Sequence, residues 1–177
     1  MIVFNKYEKR GAYHWRMYEK GTKYRKHVHK VMLWVRSGNT LDVGAGDGLI
    51  TSKLKVSGID DNETAIHLAQ EKGVDVVLGS AYDLSNYKEL DNVLMLDVLE
   101  HLEYPEKALK EIRAALKEDG LLYITTPPAE DDKQPDPYHY QEWTEIELVQ
   151  LLEENEFKMV SIETIIQCGR MYAIFKL

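Results

Sequence analysis

A chain of 177 residues, 44% hydrophobic and 29% charged, is long enough to bury one core without disulfide or metal staples. Its lone cysteine, Cys168, excludes an internal disulfide; the opening MIVFNKYEKR turns charged after four apolar positions, unlike a signal peptide; and no apolar stretch approaches the roughly 18 residues of a membrane span. The net charge of -8 is unevenly spread: residues 1–36 hold ten Lys/Arg against Glu8 and Glu19, and the remainder twelve basic against twenty-eight acidic residues.

A cytoplasmic location is expected from this cysteine usage, and no membrane partner. An acidic body disfavours nucleic acid as a partner. The basic segment either packs on that body or borders a site and draws in an anionic substrate. The expected organisation is a basic helical segment over 1–36, acting as a lid or cap, followed by one α/β domain over 37–177.

Apolar periodicity and turn residues divide the chain into alternating elements. Thr22 to Val35 read as a helix with Tyr24, Val28, Val31 and Val35 on one face. Thr40 to Val43 are a short strand, Gly44 to Gly48 a glycine-rich turn, and a short helix runs to Leu54. Val56 to Ile59 form a second strand, after which Asn62 caps a helix carrying Ala65, Ile66 and Ala69 inward. Val74 to Leu78 and Val93 to Leu96 are further strands, with Asp83 to Leu90 a loop or short helix between them. Pro105 opens a helix with Leu109, Ile112 and Leu116, which Asp119-Gly120 should end. Leu121 to Thr125 make the fifth strand. Thr144 to Glu147 has capping-box spacing ahead of a helix burying Leu148, Leu151 and Leu152. Met159–Ile165 and Met171–Leu177 are separated by too few residues for a crossover, so they should form an antiparallel hairpin. The expected fold is an open, mostly parallel, seven-stranded Rossmann-like α/β sheet with helices on both faces and a C-terminal hairpin. The irregular stretch from Thr126 to Trp143 has the length of a lid or binding loop.

The most informative residues are Leu41-Asp42-Val43-Gly44-Ala45-Gly46-Asp47-Gly48. Glycines at the end of a first strand let a ligand approach the backbone closely and offer it a helix N-terminus. The second strand ends in Asp60, placed to accept the hydroxyls of a ribose. The spacing is G-x-G-x-G rather than the G-x-G-x-x-G of nicotinamide binders, and Asp42 suits a ligand bearing an ammonium group better than a pyrophosphate.

From Leu41 to Phe157 the chain resembles a class I S-adenosylmethionine-dependent methyltransferase of the compact subgroup related to ubiquinone-biosynthesis-type enzymes. The resemblance is carried in order by LDVGAGDG, GIDDNETAIHLA, GSAYDL, NVLMLDVLEHLEYPEKALKEI, LKEDGLLYITTPP and YHYQEWTEIELVQLLEENEF. It implies S-adenosylmethionine as cofactor, with Gly44, Ala45 and Gly46 along its methionine part and Asp42 behind. It places Asp60 on the ribose, Asp61 by the adenine, and Ser80 and Ala81 at the adenine edge. Asp97 and Val98 would lie under the methionyl amine and sulfonium, with His101 near the opening. Asp61 and Ser80 depart from the common pattern, an apolar residue and an Asp respectively, and the span from Gly48 to Asp60 leaves room only for a stub of helix.

His101 and His139 are the candidate general bases; each could equally bond backbone or fix its loop. Glu100 reads as structural or solvent-facing. His14, His27 and His29 lack a common face and Asp131-Asp132 lacks a third ligand, so no metal is expected. The aromatic N-terminal residues Tyr7, Tyr13, Trp15, Tyr18 and Tyr24 either pack on the body or lid the cofactor. Amino-methylases of bases usually carry Asn/Asp-Pro-Pro-aromatic after the fourth strand, where this chain has Asp97-Val98-Leu99-Glu100. The expected acceptor is therefore a small molecule, with a non-catalytic partner subunit of the same fold as the alternative. A nicotinamide-dependent oxidoreductase fits the glycine spacing and the hairpin poorly.

Overall fold

A computed structural model describes residues 4–129 and 136–177; Asp131-Asp132 lies outside them. The strands β1 (Thr40–Val43), β2 (Ser57–Asp60), β3 (Val76–Leu78), β4 (Leu90–Leu96), β5 (Leu116–Thr126), β6 (Lys158–Ile165) and β7 (Arg170–Lys176) form one sheet in the order β3-β2-β1-β4-β5-β7-β6. The first five pair in parallel. β7 inserts between β5 and β6 and is antiparallel to both; its pairing with β6 is the hairpin that the four-residue link predicts.

Three short helices precede the sheet: α1 (Lys6–Arg10), α2 (Tyr13–Glu19) and α3 (Lys23–Trp34). Gly11 and Gly21, at φ +55° and +68°, turn the chain between them, a conformation in which a Cβ is strained. The later helices are α4 (Leu49–Leu54), α5 (Glu63–Glu71), α6 (Pro105–Ala115) and α7 (Glu145–Glu154). α7 starts with the reciprocal capping box of Thr144 and Glu147.

Helices cover both faces. Leu109, Ile112, Leu148 and Leu152 of α6 and α7 pack on Val93, Met95, Leu122 and Ile124. Val28, Val31, Leu49 and Ile50 of α3 and α4 gather around Tyr172, and Ile66 and Ala69 of α5 meet Val76. Along β7 the strand alternation sends Met171, Ala173 and Phe175 into the first cluster and Tyr172 into the second.

Two boundaries differ from expectation. α6 stops at Ala115 rather than at Asp119-Gly120, because Leu116 is buried and pairs with Leu90. The register then advances two residues on β4 and five on β5, a bulge that absorbs the acidic turn. β4 also begins three residues earlier than its apolar run, since Asn92 is buried yet satisfied. Its amide donates to Thr40 Oγ1 at 2.8 Å and to the Arg36 carbonyl at 3.1 Å, and its oxygen accepts from Arg36 Nε at 3.1 Å.

The strand order reverses between β1 and β4, so the crevice of this sheet opens where the chain leaves their carboxyl ends.

Candidate active site

The loop after β1 is built to bring backbone close to whatever fills that crevice. Gly44 has φ +74°, and a Cβ on it would stand 2.5 Å from Val98 Cγ2. Its amide and that of Ala45 both donate to the Ile59 carbonyl at 2.9 Å, which ties the ends of β1 and β2 together. Asp60 then spans the two loops: one carboxylate oxygen accepts from the Gly46 amide at 2.7 Å and the other from the Asn62 amide at 2.9 Å. Asp42, buried in β1, accepts only from the Thr51 hydroxyl, at 2.6 Å, among the side-chain bonds described. Burial pushes the Asp42 carboxyl up to about 7 and that of Asp60 up to about 6, against the lowering effect of their donors.

The N-terminal segment is stapled to this loop. Asp47, fully buried, accepts from the His14 amide at 3.0 Å and meets its Nδ1 at 3.2 Å, while its carbonyl accepts from Trp15 Nε1 at 2.8 Å. Tyr7 lies buried with its hydroxyl against Gly46, so closely that a Cβ at Gly46 would collide with it. Burial raises the Tyr7 hydroxyl well above its ordinary value, keeping it protonated.

A different chemistry occupies the end of β4. Asp97, at φ +58°, accepts from Arg170 Nε at 2.6 and 2.9 Å and from the Thr125 hydroxyl at 2.9 Å. Burial works to raise its carboxyl, but the Arg170 guanidinium overrides that and holds it well below the usual carboxylate range. Three residues on, Glu100 is 1% exposed, and its Oε2 has no hydrogen-bond partner among the described residues. Burial, reinforced by Asp97, pushes its carboxyl up to about 8. His101 Nδ1 lies 2.8 Å from the Tyr138 carbonyl, and His139 Nδ1 lies 2.5 Å from Glu142 Oε1. Both oxygens can only accept, so each Nδ1 is the nitrogen that donates, and in the neutral form of such a ring Nε2 carries the lone pair. Burial lowers the His101 pKa, favouring that neutral form. The two rings meet edge-on with centroids 4.8 Å apart, and Phe4 packs on the His101 ring at 5.0 Å.

All of this faces one cavity of about 910 Å³. Asp42, Gly44, Ala45, Asp60, Asp61, Ala81, Asp97 and Val98 line it, as do His101 and His139. Gly46 is covered by Tyr7, and Ser80 is turned into its own loop, where its hydroxyl accepts from the Tyr82 amide at 3.2 Å; neither is among the lining residues.

Residues 41–124 match the family described as Methyltransferase domain. The ubiquinone biosynthesis O-methyltransferase of Rickettsia bellii is 30% identical over 97 residues, covering 49% of this chain and 40% of that protein. The chain spans half or less of the length of the curated relatives it matches. In fold it is similar to a Thermotoga maritima methyltransferase named as a possible histamine N-methyltransferase, with TM-score 0.79, 20% identity, and 96% and 97% of the two chains covered. It is also similar to magnesium protoporphyrin IX methyltransferase of Synechocystis PCC 6803, solved with bound S-adenosylhomocysteine, with TM-score 0.76, 18% identity, and 99% and 98% covered. The chain thus carries a methyltransferase-domain match over its central residues and shares the fold of class I S-adenosylmethionine-dependent methyltransferases. The strand order and terminal hairpin of that fold underlie the crevice. None of the described helices is long and apolar enough to cross a membrane.

Four residues at this site have contacts that no local motif in the sequence fixes. Arg170 reaches Asp97 only through the pairing of β5 with β7, 73 residues away, and no local signal marks it. Tyr7 and Asp47 were visible as an aromatic cluster and an acidic loop residue, without an indication that they meet the same loop. Glu142 had a signal: it stands three residues after His139, within reach of that ring if the chain turns between them. Glu100, expected as structural or solvent-facing, is buried, lines the cavity and has one carboxyl oxygen unpartnered among the described residues. Of the other histidines, His27 contacts the Tyr172 hydroxyl at 2.8 Å, His29 the Tyr18 hydroxyl at 3.2 Å, and His14 contacts Asp47, so they share no centre.

Proposed function

We propose that this chain transfers a methyl group from S-adenosylmethionine to a small-molecule acceptor, with the donor across the glycine loop and the acceptor beneath the N-terminal helices. The observation that carries the reading is the division of a single cavity. One end is walled by backbone and by carboxylates held by uncharged donors, and the other by imidazoles whose Nδ1 atoms are bonded behind the ring. A volume of about 910 Å³ lies in the range of small-molecule sites, roughly 300–1,000 Å³.

The residues present suit the donor. Asp60 keeps lone pairs free after accepting two amides, the right equipment for ribose hydroxyls. Gly44 and Ala45 leave room for close approach, Asp61 and Ala81 line the same cavity for the adenine, and Asp97 and Val98 stand below the methionine end. Gly46 and Ser80 keep their proposed contacts only if Tyr7 and the loop after β3 shift. When bound, the sulfonium supplies an activated methyl group, so the protein's main task is alignment. Either His101 or His139 accepts a proton at Nε2 from a hydroxyl or ammonium acceptor, worth roughly 100- to 10,000-fold in rate. Glu142 fixes the tautomer of His139 as an acid partner orients a catalytic imidazole. Residues 4–34 act as the lid, since Phe4 and Tyr7 close the two ends of the cavity.

Calorimetry with S-adenosylmethionine and S-adenosylhomocysteine, with NAD as control and Asp60→Ala as site test, checks the reading. Micromolar binding of both sulfur ligands, lost in the variant and absent for NAD, is expected. A folded chain that binds neither would favour a partner subunit of the same fold, and turnover of RNA or protein with no small molecule accepted would refute the acceptor class.

A further inference from the structure

We infer that Glu100, His101 and His139 form a binding site for one divalent first-row transition-metal ion, of the zinc, cobalt and manganese type, at the acceptor end of the cavity.

One ligand atom from each of the three side chains lies within 4.8 Å of the others. With bonds of roughly 2.0–2.2 Å to one tetrahedral ion, ligand atoms stand about 3.4 Å apart, so side-chain rotation must close the set by up to about 1.4 Å. The bonds behind both rings are those a metal site uses. Both imidazoles spend Nδ1 on an oxygen, His101 on the Tyr138 carbonyl and His139 on the Glu142 carboxylate. This is how metal-ligating histidines are usually fixed, by a carbonyl or carboxylate behind the ring. Both Nε2 lone pairs are thereby left for another partner.

Glu100 supplies an independent observation. This side chain is 1% exposed and one of its carboxyl oxygens is unpartnered among the described residues, a buried polar atom that calls for a donor or a cation. Arg170 is committed to Asp97 and Lys6 to Asp136 at 3.1 Å, so neither serves Glu100. Two imidazoles and one carboxylate favour a borderline transition ion over magnesium or calcium, which prefer all-oxygen shells. With three protein ligands the ion keeps open positions, and these face the space in which the proposed acceptor would sit.

Metal binding stands apart from methyl transfer; only the assignment of the open positions to the acceptor rests on the function proposed above. The two readings of the histidines also separate. As metal ligands they cannot serve as bases at the same nitrogens, so chelation removes turnover in one case and spares it in the other.

The experiment uses the full chain, stripped with a chelator and then titrated with Zn²⁺ by calorimetry and with Co²⁺ by visible absorption. One equivalent should bind, with the d–d bands of nitrogen-oxygen coordination. Glu100→Gln and His139→Gln should each weaken uptake by more than about 100-fold, and Glu142→Gln by about 10- to 100-fold through the orientation of His139. Circular dichroism confirms that each variant is folded. Failure of the folded wild-type chain to take up one equivalent, or uptake undiminished in both ligand variants, overturns the inference. Metal uptake in a chain that does not bind S-adenosylhomocysteine would sustain it while counting against the methyl-transfer reading.

Discussion

The carboxylates at the ends of β1 and β2 and the carboxylate at the end of β4 share one rim but live in opposite electrostatic states. Asp42 and Asp60 are held by neutral donors, a hydroxyl and two backbone amides, and burial raises both. Asp97 is gripped by a guanidinium and stays charged at any working pH. The first pair keeps acceptor capacity that a ligand's hydroxyls or ammonium could use, at a cost to the unliganded fold. The second has its charge already met, and serves to fix the turn after β4 against the hairpin. A shared position on a sheet edge therefore does not make three acids equivalent; what donates to each of them does.

The largest effect should come from Asp60→Ala. It removes the acceptor for the Gly46 and Asn62 amides and the group proposed for the ribose, so cofactor affinity should fall by at least about 100-fold, the loss expected when a charge-assisted pair of bonds goes. Calorimetry reads this directly, and affinity within a factor of a few of wild type would refute a ligand role for the β2 end.

Next in size is Arg170→Met, which leaves Asp97 without its cation. Breaking a buried pair costs about 3–5 kcal/mol; both side chains keep about a fifth to a quarter of their exposure, which brings the expected loss nearer 2 kcal/mol. Denaturant melts test it, and Asp97→Asn combined with Arg170→Met should recover part of the loss. If the single variant melts like wild type, the supposed contrast between the two ends is wrong.

Asp42→Asn probes the opposite sign. Because the folded carboxyl is raised to about 7 from an ordinary value of 3.8, the folded state holds a proton that the unfolded chain releases across that window. Stability from this group is present below about pH 4 and lost as pH rises through about 7. The variant should therefore be more stable than wild type by about 1–3 kcal/mol at pH 8, with the gain vanishing near pH 4. A gain independent of pH would mean that Asp42 is not raised.

How much of this was legible in the residues follows from the range of each interaction. The glycine turn, Asp60 and the Asn62 cap are local, and their chemistry is written within a dozen residues. The sheet and its terminal hairpin followed from period and linker length. The bulge in β5 did not, because Asp119-Gly120 is as good a helix stop as a strand bulge until Leu116 is seen paired with Leu90. Asn92 looked like a boundary because its partners, Arg36 and Thr40, come from another part of the chain. The same holds in the site: Arg170 meets Asp97, and Tyr7 meets Gly46, only through tertiary packing. Glu100 and His101 were adjacent in sequence, yet their convergence with His139 depends on how the loop after β5 returns over β4.

The finest test of the contrast is Thr51→Val, which is nearly isosteric and leaves Asp42 in place. The Thr51 hydroxyl donates to Asp42 at 2.6 Å, so its loss strips a buried carboxylate of its described donor. A lost bond of this kind costs about 1 kcal/mol or somewhat more when the acceptor is charged. Because the donor favours the ionised form, the cost should be larger at pH 8 than at pH 5, where Asp42 is protonated in the fold. Against the Asp42→Asn background the same substitution should cost less at pH 8, and a double-mutant cycle isolates the coupling. Equal costs at both pH values and in both backgrounds would show that Thr51 acts by packing alone, and that the raised carboxyl at the end of β1 owes nothing to its neighbour.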